Sequence, residues 1–133
     1  MRALFVSVLC VALSACASGF NSQSTEPTAY VVFFDLQSTA LTQNAKAVIV
    51  DVARRARENP DATVEITGPG TKIAPGYDPR MAEPRIEAVI AELVADGVSP
   101  DKIVQTSVTT DNIKVDASGA RRVEIRIVAG RAT

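Results

Sequence analysis

Between Tyr30 and Val128 the apolar pattern switches repeatedly between a two-residue and a helical period, which restricts the chain to a sheet with helices packed on it. Tyr30-Val31-Val32-Phe33-Phe34 is β-branched and aromatic and apolar on both faces, the pattern of a central strand covered on both sides or covered by its neighbours. After a polar loop, Asp35 to Ala40, the residues Leu41, Ala45, Val48, Ile49, Val52 and Ala56 recur at helical spacing. Thr42 has the chemistry of an N-cap, and Asn59-Pro60 ends the run. Arg54, Arg55 and Arg57 crowd its last turns as a solvated face, where cations suit the helix dipole.

Thr63 to Thr67 alternates as a second strand, and Gly68 to Asp78, rich in glycine and proline, is a loop. A second helix is clear from Pro84 to Ala95, with the stripe Ile86, Val89, Ile90, Leu93 and Val94 and a stop at Gly97. Asp78-Pro79 has the residue types of a cap and first turn. Glu83-Pro84 has them less well, and an internal proline removes a helix bond at about 3 kcal/mol, so the expectation is a short first turn, then a kink or restart at Pro84. Ile103 to Val108 reads as a third strand, Val108 to Ala120 as a polar loop, and Arg122 to Ile127 as a strictly alternating strand with Val123, Ile125 and Ile127 inward. The order β-α-β-α-β-β implies an α+β fold of two helices on one sheet.

The first residues read as a targeting segment. Arg2 precedes an apolar run, Ala3 to Leu13, far short of the about 20 residues that span a bilayer. The run ends in Leu13-Ser14-Ala15-Cys16, which resembles a bacterial lipobox: small residues before the cut, and a Cys16 thiol to take a thioether-linked diacylglycerol. Several acyl chains, palmitate among them, anchor stably where one binds only marginally. The other reading is a secreted protein cut near Ala15 or Ala17. Ala17, where an Asp would resemble an inner-membrane retention signal, favours the outer membrane of a Gram-negative cell. Residues 17–29 are polar and read as a flexible tether. The expected organisation is a signal peptide, 1–15; a lipidated N-terminus and linker, 16–29; a domain, 30–129; and a tail, 130–133.

Composition limits the function. With Cys10 removed and Cys16 acylated, no disulfide can form, so an apolar core alone must hold the domain. The net charge of −1 leaves no basic face for nucleic acid, since Arg121-Arg122 is a pair and not a patch. The chain has no histidine. Its Asp and Glu residues are scattered over helix faces and loops, which is poor material for acid–base catalysis or a metal site. The expectation is a protein that is not an enzyme and holds no cofactor or metal.

Four segments carry a resemblance to a known family. Val31 to Ala53 resembles the opening strand, loop and helix of the OmpA-like domain of Pal-type lipoproteins. Asn59 to Gly68 resembles its turn into the second strand, Arg85 to Ile103 its second helix and exit, and Arg121 to Val128 its closing strand. The resemblance covers about Tyr30 to Val128 and implies two helices on one face of a four-stranded mixed sheet.

It also implies a ligand. The family binds the peptide stem of peptidoglycan at diaminopimelate, whose zwitterionic end asks for one carboxylate and one cation. Arg85 falls on the family arginine, whose guanidinium can hold a carboxylate by two parallel bonds. Gly68-Pro69-Gly70-Thr71 stands where a Gly-His-Thr-Asp-like segment is expected, so Thr71 replaces the aspartate. Ala120 replaces a usual asparagine. The candidate stem-binding residues are therefore Arg85, Thr71, Gly70 and Asp78, the last as a substitute carboxylate from the loop. The competing reading of Arg85 is a solvated residue paired with Glu83 or Glu87, and that of Asp35 is a plain strand-end loop residue.

Two functions follow from the resemblance. The first is an outer-membrane lipoprotein whose periplasmic domain binds peptidoglycan and ties membrane to wall. The alternative is a divergent relative that has lost the ligand and serves as a subunit of an envelope-spanning protein complex.

Overall fold

The strand and helix periods resolve into one four-stranded sheet and two long helices in a computed structural model that describes residues 28–69, 78–106 and 119–130. The strands are β1 (Thr28–Phe33), β2 (Thr63–Thr67), β3 (Ile103–Thr106) and β4 (Arg122–Val128), and the helices are α1 (Gln43–Glu58) and α2 (Pro79–Ala95). The sheet order is β1-β4-β2-β3. β2 and β3 run parallel, and β4 lies antiparallel to both β1 and β2. The mixed sheet with two helices is the expected α+β fold.

α1 starts where the sequence places it. The Thr42 hydroxyl accepts from the Ala45 N–H at 3.1 Å, which satisfies one of the donors a helix start leaves open. Ala45, Ile49, Val52, Ala53 and Ala56 line its buried face. The opposite face is solvated: Arg54 pairs with Asp51 and Glu58, and Arg55 pairs with Asp51. Exposed pairs of this kind are worth little.

α2 departs from the expected restart and begins at the earlier of the two candidate caps. It runs unbroken from Pro79, with Asp78 as N-cap and Pro84 inside, and no restart at Pro84. A capping carboxylate followed by a proline in the first turn, where no N–H is needed, sets the start. The inward stripe of Ile86, Val89 and Leu93 then holds the helix on the core through the proline. Its end is a Schellman turn: Gly97, at φ +91, donates to Val94, and Val98 donates to Leu93. Val98 is itself buried, so chain reversal and core packing coincide.

β1 also departs from expectation. It is an edge strand, with Val32 buried but Val31 and Phe33 exposed by 36% and 53%. It begins at Thr28, so Thr28 and Ala29 belong to the sheet and not to a tether. β3 is described only to Thr106, and Ser107 and Val108 lie outside the described residues.

The core lies between helices and sheet. Val32, Ile49, Val52, Val64, Ile66, Val89, Leu93, Val123 and Ile125 are its large, fully buried members. Burial of each such side chain is worth about 1.5–3 kcal/mol relative to leaving it exposed. In register, Phe33 faces Arg122 and Thr67 faces Glu124. The exits of β1 and β2, the entry of β4 and the start of α2 therefore share one end of the sheet.

Candidate functional site

That end is organised around Arg85. The residue sits in the second turn of α2 with 4% of its surface exposed, and it is the one charged residue buried among those described. Its Nε donates to the Ser38 carbonyl at 2.9 Å and its Nη2 to the Asp35 carbonyl at 3.1 Å. The guanidinium lies 5.4 Å from the centroid of the buried Phe34 ring, in reach of a cation–π contact. It is therefore neither solvated nor left to Glu83, whose carboxylate accepts instead from Gln105 of β3 at 2.9 Å.

The carbonyls that hold Arg85 close one tight turn. Ser38 donates its N–H to Asp35 at 3.2 Å, and Gln37 between them has φ 51, a left-handed conformation rare for a residue with a side chain. The Ser38 hydroxyl accepts from Ala40 at 3.0 Å. Asp35 thus serves this end of the sheet through its main chain, in keeping with a strand-end loop residue. Next to it, Phe34 donates to the Arg121 carbonyl at 2.9 Å, and Arg121 Nη1 returns a bond to the Phe34 carbonyl at 3.3 Å. Two guanidinium groups therefore grip consecutive carbonyls where β1 ends. Ala120, where the resemblance expects an asparagine, is buried beside them.

Asp78 is committed to the helix. Its Oδ1 accepts from the Arg80 N–H at 3.0 Å and from Arg80 Nε at 3.1 Å, and its Oδ2 accepts from Arg80 Nη2 at 3.0 Å. These bonds, above all those of the Arg80 side chain, hold its carboxyl below the ordinary aspartate value, with a smaller contribution from the charge of Arg85. The two sequence candidates thus lie within electrostatic reach of each other, but Asp78 acts as a cap and as the partner of Arg80.

Gly68 lets β2 leave closely against α2. A Cβ there would meet Ile86 Cδ1 at 2.8 Å, so the strand exit and the turn bearing Arg85 touch. Gly70 and Thr71, the remaining stem-binding candidates, and the lipidation candidate Cys16 lie outside the described residues. Among the described residues no three His, Cys, Asp or Glu side chains gather in a way that could hold a metal ion.

Phe34, Ser38 and Arg121 carry no mark in the sequence as neighbours of Arg85. The polar turn after an aromatic strand was the available signal for Ser38. Nothing in the sequence paired these residues with Arg85.

The arrangement fixes a guanidinium plane at the end of the sheet, buried between α2 and the turn after β1.

No curated protein matches this chain. Among solved structures, the OmpA-like domain of FopA1 from Francisella tularensis subsp. tularensis SCHU S4 is similar, with a TM-score of 0.62 at 19% identity over 77% of this chain and 72% of that one. The periplasmic domain of Helicobacter pylori MotB gives 0.58 at 18% identity over 80% and 78%. The peptidoglycan-associated lipoprotein from Burkholderia pseudomallei gives 0.57 at 22% identity over 73% and 88%. At these identities the likeness speaks for the fold. The sequence profile of the OmpA family matches residues 33–126, well over half of the chain and the whole of the sheet end just described. The chain belongs to the OmpA family.

Proposed function

We propose that this chain is a wall-binding lipoprotein of the outer membrane, anchored through acylated Cys16, whose periplasmic domain binds the peptide stem of peptidoglycan without covalent attachment. The observation that carries the reading is Arg85, a buried guanidinium fixed by Asp35 and Ser38 at the end of the sheet where the resemblance expects the ligand arginine. A carboxylate arriving there meets a cation whose orientation has already been set, so little side-chain freedom is lost on binding. The likeness to a peptidoglycan-associated lipoprotein and the lipobox-like Leu13-Ser14-Ala15-Cys16 support the same reading. Asp78 contributes as the cap that fixes the start of α2, and Gly70 and Thr71 lie in the segment between β2 and that cap. The role is binding, not catalysis.

One observation favours a second reading, a subunit of an envelope complex that has kept the fold and lost the ligand. The Asp78 carboxylate, the described substitute for the missing aspartate, is taken up by Arg80.

Sedimentation of the full chain with diaminopimelate-type sacculi separates the two. Wall binding predicts co-sedimentation that free diaminopimelate competes away and that Arg85→Lys weakens while the circular dichroism spectrum stays that of the parent. Absence of parent chain from the sacculus pellet would sink it and leave the subunit reading.

A further inference from the structure

We infer that β1 is a self-association edge through which two copies of this chain pair antiparallel about Val31, joining two four-stranded sheets into one of eight.

The phase of the ladder comes first. In an antiparallel pair, opposite residues alternate between those that exchange main-chain bonds and those that do not. Phe34 donates to Arg121, so the bonded positions facing β4 are Phe34, Val32, Tyr30 and Thr28. The N–H and C=O groups of Ala29, Val31 and Phe33 therefore point away from β4, along an edge that no described residue pairs.

That edge lacks the devices that protect strands from pairing. Proteins guard such edges with charges, prolines, bulges or short strands. β1 is six residues long, Thr-Ala-Tyr-Val-Val-Phe, with no charge and no proline. The residues of β1 whose main-chain groups face outward are also those whose side chains stand on the face away from the helices. Val31 and Phe33 there are exposed by 36% and 53%.

The charges decide the occupant. A two-fold axis at Val31 sets Val31 against its copy and Phe33 against Ala29 of the second copy, so a large side chain lies beside a small one. On the same face, β4 places Arg126 opposite Ala29, Glu124 opposite Val31 and Arg122 opposite Phe33. In the pair each of these charges stays a full strand back from the seam. Glu124 and its copy are then three strand spacings apart, about 14 Å, beyond a Debye length at physiological salt. No like charges oppose each other across the seam, and apolar surface meets apolar surface. The pairing is isologous and closes as a dimer, whereas β1 on the β3 edge of another copy would grow without limit. Six residues of strand cover less than the about 800 Å² per partner of a standard interface, so the dimer is weak and is best captured covalently.

Cysteine capture tests this. In an antiparallel pair the bonded positions on the axis have Cα atoms about 5.5 Å apart, within disulfide range. The full chain carrying Val31→Cys is expressed in a bacterial envelope, treated with a mild oxidant and run on a non-reducing gel. Val104→Cys on the β3 edge, 43% exposed, is the control for random collision. The expected result is a disulfide dimer for Val31→Cys that is absent from the parent and from Val104→Cys. A second variant, Val31→Lys with Phe33→Cys and Ala29→Cys, sets two ammonium groups against each other on the axis and should lose the cross-link that Phe33→Cys with Ala29→Cys alone forms. No dimer from Val31→Cys, equal dimer from Val104→Cys, or cross-links only to a different protein would each overturn self-pairing. A dimer already present in the parent would report a free Cys16 thiol. That outcome would sink the lipid anchor and not the edge, and the same comparison in a Cys16→Ser chain then decides the edge.

Discussion

Arg85 donates its Nε to the main-chain oxygen of Ser38 at 2.9 Å, joining residues 47 positions apart in the chain. With the bond from Nη2 to Asp35, it ties the second turn of α2 to the turn that ends β1. Removal of a charged donor from a buried site costs about 1.5–3 kcal/mol per bond and leaves the Ser38 carbonyl without this partner. Arg85→Met, which keeps most of the aliphatic stem, should therefore destabilise the domain by roughly 3 kcal/mol. Arg85→Lys should recover only part of this, because one ammonium cannot replace the fork. Urea denaturation checks it: the midpoint should fall with unchanged slope. A midpoint equal to that of the parent would show that the two bonds do not hold the turn.

Pro84 makes the opposite prediction. It lies inside α2 and cannot donate to the carbonyl one turn earlier, at Arg80. The helix continues through it, so the backbone there already accepts a helical residue. Pro84→Ala should stabilise the domain by roughly 1–3 kcal/mol, less the entropy that proline removes from the unfolded chain. A fall in thermal midpoint would instead show that the proline ring packs usefully.

Legibility in the sequence followed the range of the interactions. α1, β2 and β4 were readable because their signals are local: a threonine cap, a clean stripe and strict alternation. The structure departs from the local pattern where tertiary packing outvotes it. Pro84 reads as a breaker, but Asp78 and Pro79 start α2 earlier and Ile86, Val89 and Leu93 hold it on the core. β1 reads as a doubly covered strand because it is apolar throughout, yet it lies at the edge with Phe33 in solvent. The burial of Arg85 had no signature at all, since its partners are carbonyl oxygens, which every residue has. The resemblance marked the position and said nothing of what holds it.

Gly97 gives a third test. At φ +91 it occupies a conformation that costs a residue with a Cβ about 1–2 kcal/mol, and an added Cβ would stand 3.3 Å from Arg57 Nη1. Arg57 also donates to the Asp96 carbonyl, so crowding there disturbs the tie between the two helix ends. Gly97→Ala should lower stability by at least about 1 kcal/mol, read as a drop in urea midpoint. A neutral result would mean that the Schellman turn relaxes without loss.

Asp78 gives a pH test. Arg80 holds its carboxyl below the ordinary value of 3.8 in the folded chain. A lowered folded value means that the unfolded chain takes up the proton first, so the contribution of Asp78 is present above the unfolded pKa and is lost as pH falls through the folded one. Asp51, held low by Arg54 and Arg55, and Asp101, held low by Ser99, titrate in the same direction, so the parent curve alone cannot identify Asp78. Asp78→Asn keeps an oxygen for the Arg80 N–H but carries no charge to lose, and the other two aspartates remain in both proteins. The thermal midpoint of the parent should exceed that of Asp78→Asn near neutrality, and the gap should close below about pH 4 as Asp78 is protonated. A gap that stays constant with pH would show that the Asp78 cap acts through shape and hydrogen bonding alone, with no contribution from its charge.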